Sequence, residues 1–145
     1  YNINGVMLQL SDDLKSVSVV WRTDVLDTHH GGYVEVNGTI YGSSWINNNQ
    51  GNWCAIDWNT GAKGYETTWT GGKGKGSIIA ADGMLYCYDE RRGAVALVNP
   101  DPAKFDIVSE FRITKGVGPH WAHPVIVNGV LYIRHGFALM AYKVK

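Results

Sequence analysis

The sequence is short of most features that would announce a function. It has two cysteines, Cys54 and Cys87. Two cannot build a disulfide framework or a pair of CxxC metal hooks, and they read as buried free thiols, a common state of cysteine in a core. Charged residues make up 18% of the chain, and Lys+Arg and Asp+Glu are 13 each, for a formal net charge of zero. That balance excludes a nucleic-acid or membrane-surface role driven by a basic field. No run of 18 apolar residues occurs, so no membrane-spanning helix is expected. Helical periodicity is not sustained anywhere, and prolines number four, which excludes a helical bundle. The chain opens at Tyr1 without Met and without a charged-then-apolar leader, so it reads as a processed chain or a piece of a longer one.

What is present is apolar and rich in turns. Hydrophobic residues are 45%, with six Trp and eight Tyr, too much apolar mass for a disordered chain. Gly is in excess, at 18 of 145 residues, about 12% against a usual ~7%. The excess has a pattern. Tyr33-Val-Glu-Val-Asn-Gly-Thr-Ile-Tyr41, Ile78-Ile-Ala-Ala-Asp-Gly-Met-Leu-Tyr86 and Pro124-Val-Ile-Val-Asn-Gly-Val-Leu-Tyr132 align without gaps. Their turns, Asn37-Gly38, Asp82-Gly83 and Asn128-Gly129, recur at intervals of 45 and 46 residues. Asn-Gly or Asp-Gly between apolar runs predicts a type I′ hairpin, which needs positive φ at both central residues.

A second pair of strands follows each of the first two hairpins: 53–57 with 64–69, and 94–98 with 106–111. One such pair opens the chain, at 6–10 and 17–21, and a lone strand closes it at 138–142. Four strands recurring every ~45 residues match the blade of a β-propeller. The fold class expected is all-β, a β-propeller segment of four-stranded antiparallel blades. The division is 1–24 for the end of one blade, 25–70 and 71–115 for two full blades, and 116–145 for a last blade lacking one strand. Propellers close with four to eight blades, so the partners implied are the remaining blades of a larger ring, from the same parent chain or a second copy.

The segment Ala55-Ile-Asp57-Trp-Asn-Thr60-Gly61-Ala-Lys-Gly-Tyr65 resembles the AxDxxTGxxxW motif of quinoprotein (pyrroloquinoline quinone, PQQ)-type propeller repeats, with Tyr65 in place of the Trp. The resemblance implies that the aromatic residue packs between adjacent blades while Asp57 and Thr60 brace the turn, so Ala55, Asp57, Thr60, Gly61 and Tyr65 are blade-docking residues. In the opening piece Trp21 stands as a candidate wedge. The segment 118–124 and the run 130–136 resemble the last blades of secreted bacterial PQQ-like proteins, which places the chain in the periplasm or outside the cell. Related propellers include alcohol dehydrogenases, which use PQQ with Ca²⁺, and non-enzymatic lipoprotein scaffolds of outer-membrane assembly.

Candidate site residues follow from the repeat register. Seven or eight positions before each turn lie His29 and His30, then Gly74 and Lys75, then His120 and Trp121; His123 lies five before the last turn. Segments that enter each innermost strand should converge at one mouth of the propeller, and loops held by a rigid scaffold are where function usually sits. His29, His30, Lys75, His120, Trp121 and His123 are therefore candidate ligand-binding residues, for an anion, a carboxylate or a metal. The competing reading is that they bond neighbouring blades and cap the channel. No Asp or Glu joins the cluster in register, so no metal site is expected. Arg134 and Asp89 read as an ion pair between blades, 43–53 as the longest inserted loop, and Asp89-Glu-Arg-Arg92 as a solvated turn. Catalysis finds little support: no catalytic serine elbow, zinc-protease motif or phosphate-cradling loop occurs. The expectation is a non-enzymatic scaffold or platform for a small ligand or protein outside the cytoplasm, with no cofactor. The alternative is part of a PQQ-dependent dehydrogenase.

Overall fold

The computed structural model describes residues 2–144. Thirteen strands run in sequence: β1 (Gly5–Leu10), β2 (Val17–Thr23), β3 (Tyr33–Val36), β4 (Thr39–Asn47), β5 (Gln50–Asp57), β6 (Lys63–Thr67), β7 (Gly76–Ala81), β8 (Met84–Asp89), β9 (Ala94–Asn99), β10 (Asp106–Arg112), β11 (Val125–Val127), β12 (Val130–His135) and β13 (Ala138–Lys143). They form four antiparallel sheets in meander order: β1-β2, β3-β4-β5-β6, β7-β8-β9-β10 and β11-β12-β13. The fold is a β-propeller segment of two complete blades flanked by two partial ones. Among the described residues no helix is long and apolar enough to cross a membrane. The three hairpin turns have φ of 51° and 80° at Asn37-Gly38, 51° and 74° at Asp82-Gly83, and 51° and 72° at Asn128-Gly129, as a type I′ turn requires.

Packing explains the apolar runs. Inner strands of a blade are covered on both faces, so alternate residues feed two different cores. In β5, Cys54 and Ile56 join Val25, Leu26 and Ile40 in a core against the first sheet. Trp53 and Ala55, one residue out of phase, join Trp69, Ile78, Leu85 and Ala96 in the core between the two complete blades. Tyr88 and Val95 enter a third core with Leu131 and Ile133 of the last sheet. Burying each large aliphatic side chain contributes about 1.5–3 kcal/mol. Both cysteines are free and buried, and burial pushes the Cys54 thiol up to about 12.

Aromatic residues on the outermost strands wedge against the next blade. Trp21 of β2 lies over Gly61, where a Cβ would come within 2.6 Å of the indole, and its Nε1 donates to Trp58 O at 3.0 Å. Tyr65 of β6 packs into the core between the complete blades, 6.3 Å from the Phe105 ring. Phe111 of β10 lies 4.8 Å from Tyr142 of the last sheet. Asp57 braces the Gly61 turn: Oδ1 accepts from Asn59 N, Thr60 N and Thr60 Oγ1 at 3.0, 2.8 and 2.8 Å. Those bonds, Thr60 first, hold its carboxyl below the ordinary range.

Two expectations are corrected. Residues 43–53 are not an inserted loop. β4 and β5 are the longest strands, and they pair from Thr39↔Asp57 to Asn47↔Gln50 around a turn at Asn48-Asn49. Ladder bonds satisfy this stretch, so it is an overhanging hairpin. Arg134 does not pair with Asp89: Arg134 Nε donates to Gly136 O at 3.0 Å, and Asp89 Oδ2 accepts from the amides of Arg91 and Arg92.

The complete blades meet backbone to backbone. A Cβ on Gly31 would lie 1.7 Å from Gly76 O. Beside that contact the buried Ser43 hydroxyl donates to Gly76 O at 3.0 Å and accepts from Gly76 N at 3.1 Å. Ser43→Ala leaves both groups unpaired in a dry interface and should cost about 2–3 kcal/mol. Urea unfolding of the assembled propeller checks it; a cost under about 0.5 kcal/mol would show that the groups find other partners.

Candidate functional site

The segments entering β3, β7 and β11 come together at one end of the sheets, because the Gly31–Gly76 approach draws the residues beside it into contact. His30 stands 3.7 Å from His29, centroid to centroid, and 4.6 Å from Trp121. His29, His30 and Trp121 line a cavity of about 680 Å³ with Asn48, Asn49, Glu90, Arg91 and Pro119. Trp121 is 50% exposed, so one ring of the cluster is offered to solvent.

Lys75 lies beneath this surface, 1% exposed. Its Nζ pairs with Glu90 Oε1 at 2.7 Å and donates to Asn47 O at 3.1 Å. Glu90 Oε2 accepts from His29 Nδ1 at 3.0 Å. Backbone bonds complete the junction: Glu90 N donates to Lys75 O at 3.0 Å and His120 N donates to Glu90 O at 3.2 Å. One residue therefore ties all three entry segments. This corrects one expectation: the Asp89–Arg92 turn is not simply solvated, because Asp89 and Glu90 are buried. The carboxylate that joins the cluster comes from outside the entry-segment register, from just after the end of β8. A sequence signal for it exists. Asp89-Glu-Arg-Arg-Gly93 repeats the Asp-x-x-x-Gly spacing of Asp57–Gly61, and Gly93, like Gly61, sits at positive φ.

The remaining candidates make contacts with neighbouring segments. His123 Nε2 donates to His30 O at 2.9 Å, which fixes one entry segment on another. His120 is 8% exposed and stands apart from the cavity lining. Tyr88 O–H donates to its Nδ1 at 2.5 Å, and its ring stacks on His135 at 3.7 Å. The His135 ring nitrogens lie within hydrogen-bond distance of two carbonyls, Nδ1 2.7 Å from Lys115 O and Nε2 2.6 Å from Gly118 O. Burial, then the neighbouring His135, lowers the His120 pKa to about 4. Burial also raises Tyr88, so the pair is neutral phenol to neutral imidazole. Asp89 is pushed the other way, up to about 6, by burial against the opposing pull of the Arg92 and Arg91 amides. Its Oδ1 has no hydrogen-bond partner.

The arrangement is polar and rigid, and among the described residues Asp89 Oδ1 is its one buried polar side-chain atom without a hydrogen-bond partner. It does not fit a Ca²⁺–quinone pair. Both oxygens of Glu90, the carboxylate of the lining, are already engaged, and among the described residues no three His, Cys, Asp or Glu side chains converge as a metal site would need.

No family model matches the chain, and no curated protein matches it. Among solved structures its fold is similar to that of BamB from Moraxella catarrhalis, with a TM-score of 0.67 and 14% identity over 98% of this chain and 41% of that one. At that identity the likeness shows a β-propeller fold. The chain spans 41% of BamB's length.

Two outcomes follow from the buried charges. Glu90→Gln removes the partner of a buried ammonium and should cost about 3 kcal/mol. Adding Lys75→Met should recover part of it; in urea unfolding, a double variant no better than the single would show the pair is not coupled. Asp89 and His120 act in opposite senses with pH. Asp89 binds its proton more tightly folded than unfolded (about 6 against about 3.9), so its contribution falls as pH rises from 4 to 6. His120 binds its proton more weakly folded (about 4 against about 6.5), so its contribution is lost as pH falls from 6.5 to 4. Relative to the parent, Asp89→Asn should be stabilised by about 2 kcal/mol at pH 7 and scarcely at pH 4. Unfolding free energies measured across that range check the sign.

Proposed function

We propose that the chain is a propeller segment serving as a scaffold and binding platform outside the cytoplasm, not as an oxidoreductase. The observation that carries the reading is the state of Glu90. A catalytic carboxylate needs a free oxygen within reach of the reacting atom, whereas Glu90 is buried with both oxygens engaged by Lys75 and His29. The cavity instead presents Trp121, His30, Asn48 and Asn49. A half-exposed indole beside amide groups suits contact with a small ligand or a protein segment. The extracytoplasmic placement rests on the resemblance of 118–124 and 130–136 to the last blades of secreted bacterial PQQ-like proteins.

The flanking sheets support the scaffold half. On the first sheet Leu8, Leu10, Val17 and Val19 are 51%, 55%, 56% and 49% exposed; on the last, Val125, Val127 and Leu139 are 56%, 48% and 69% exposed. Apolar stripes at both ends of a row of blades are the surfaces on which further blades pack, as Trp21, Tyr65 and Phe111 pack within the row. Those blades come from the same parent chain or a second copy.

The test uses the assembled propeller. PQQ with Ca²⁺ should give no quinone absorbance on the protein and no thermal shift. An array of peptides and oligosaccharides should give binders whose affinity falls about tenfold on Trp121→Ala and is unchanged by Trp58→Ala. Quinone uptake, or an array without a Trp121-dependent binder, would overturn the platform reading.

A further inference from the structure

A second cavity, of about 530 Å³, lies beside the mouth. Ile46, Asn49, Gln50 and Gly51 of the overhanging β4–β5 hairpin line one side; Thr68, Thr70 and Lys73 line another; Arg91 and Arg92 line the third. No carboxylate is in the lining, in a chain whose net charge is zero. The carboxylates nearby are held outside the lining. Glu110 accepts from Trp69 Nε1 at 2.9 Å, Glu90 is held by Lys75 and His29, and Asp89 is buried against the amides of Arg91 and Arg92. Three exposed cations are left facing one concave space.

The loop that carries Lys73 is built to hold it there. Lys73 N donates to Trp69 O at 2.7 Å, Trp53 Nε1 donates to Gly74 O at 3.0 Å, and Arg112 Nη2 donates to Gly71 O at 3.1 Å. The loop reads Gly71-Gly-Lys-Gly74, yet the positive φ, 73°, falls on the lysine. The glycines serve a different need. A Cβ at Gly71, Gly72 or Gly74 would come within 2.5 Å of Glu110 Oε2, 2.8 Å of the Trp69 ring or 2.7 Å of Asp89 Oδ1. Of the eight described non-glycine residues at positive φ, five are Asn or Asp; Lys73 joins Leu14 and Leu26 as the exceptions. A long side chain in the left-handed region costs stability, and such strain gathers at ligand sites. Arg91 is splinted in turn, its Nη1 donating to Asn49 O at 2.8 Å.

We propose that this cleft is an anion site, taking a ligand that bears two or more carboxylate or phosphate groups on Lys73, Arg91 and Arg92. Guanidinium groups match both oxyanions with paired N–H donors, and the cavity has the size of a small-molecule site. The site adjoins the mouth but does not depend on the mouth binding anything.

The probes are citrate and pyrophosphate, titrated calorimetrically into the assembled propeller. At least one should bind saturably, with a dissociation constant below about 1 mM. The tighter of the two identifies carboxylate or phosphate as the natural group. Arg92→Gln and Lys73→Gly should each weaken binding about tenfold. Trp121→Ala should leave it unchanged, which separates this site from the mouth. Lys73→Gly relieves the strained φ, so its Tm should rise by about 2–4 °C while binding is lost, and a loss of binding through misfolding is thereby recognised. Absence of saturable binding by both anions, or binding that neither substitution weakens, would overturn the site.

Discussion

The close approach of two backbones, Gly31 to Gly76, is the constraint on which the rest of this structure depends. No side chain fits between them, and the Ser43 hydroxyl satisfies the amide and carbonyl that the approach would otherwise strand in a dry interface. Their sequence neighbours are carried along. His29 and His30 precede Gly31, and Lys75 precedes Gly76, so the contact sets an imidazole and an ammonium on either side of the Glu90 carboxylate. The same register position after the first two hairpin turns reaches toward the following blade: Ser43 to Gly76, and Tyr88 to His120.

Glu90 then acts as a junction. Its side chain binds the entry segments of β3 and β7, and its backbone binds those of β7 and β11. A buried carboxylate between an ammonium and an imidazole adds little net stability, because desolvation offsets most of the attraction. In the observed placement of the three blades neither Lys75 nor Glu90 is left without an opposite charge. The neighbouring Asp89 and His120 show the same economy of charge differently. Each is kept toward its neutral form by burial, and among the described residues Asp89 Oδ1 is the buried polar side-chain atom left without a hydrogen bond.

Much of the fold is legible from local chemistry. The Asn-Gly and Asp-Gly turns demand positive φ and receive it; the apolar runs at Trp53–Ile56 and Ala94–Val98 feed cores on both faces; Trp21 and Tyr65 wedge against neighbouring blades. Convergence of the entry segments is legible as well, because residues at one register position of a repeat must lie around one axis. The hairpin at 43–53 is harder to read, since Asn and Gly residues suggest a loop, and only the ladder from Thr39 to Asn47 shows that its backbone is paired.

Local sequence sets the repeat, the strands and the end of the blades at which the entry segments lie, since period-2 patterning and turn residues act within a few positions. Tertiary structure alone decided which charges are buried. Lys75 and Glu90 look like solvated residues until the β4–β5 hairpin of the preceding blade covers them, with Asn47 O on the Lys75 ammonium and Gly51 against its Cβ. It also decided that His120 turns inward to Tyr88 while Trp121 stays at the surface. The solvation of a charge depends on what another part of the chain lays over it, and here that cover comes from 28 residues away in sequence, beyond the reach of any local pattern.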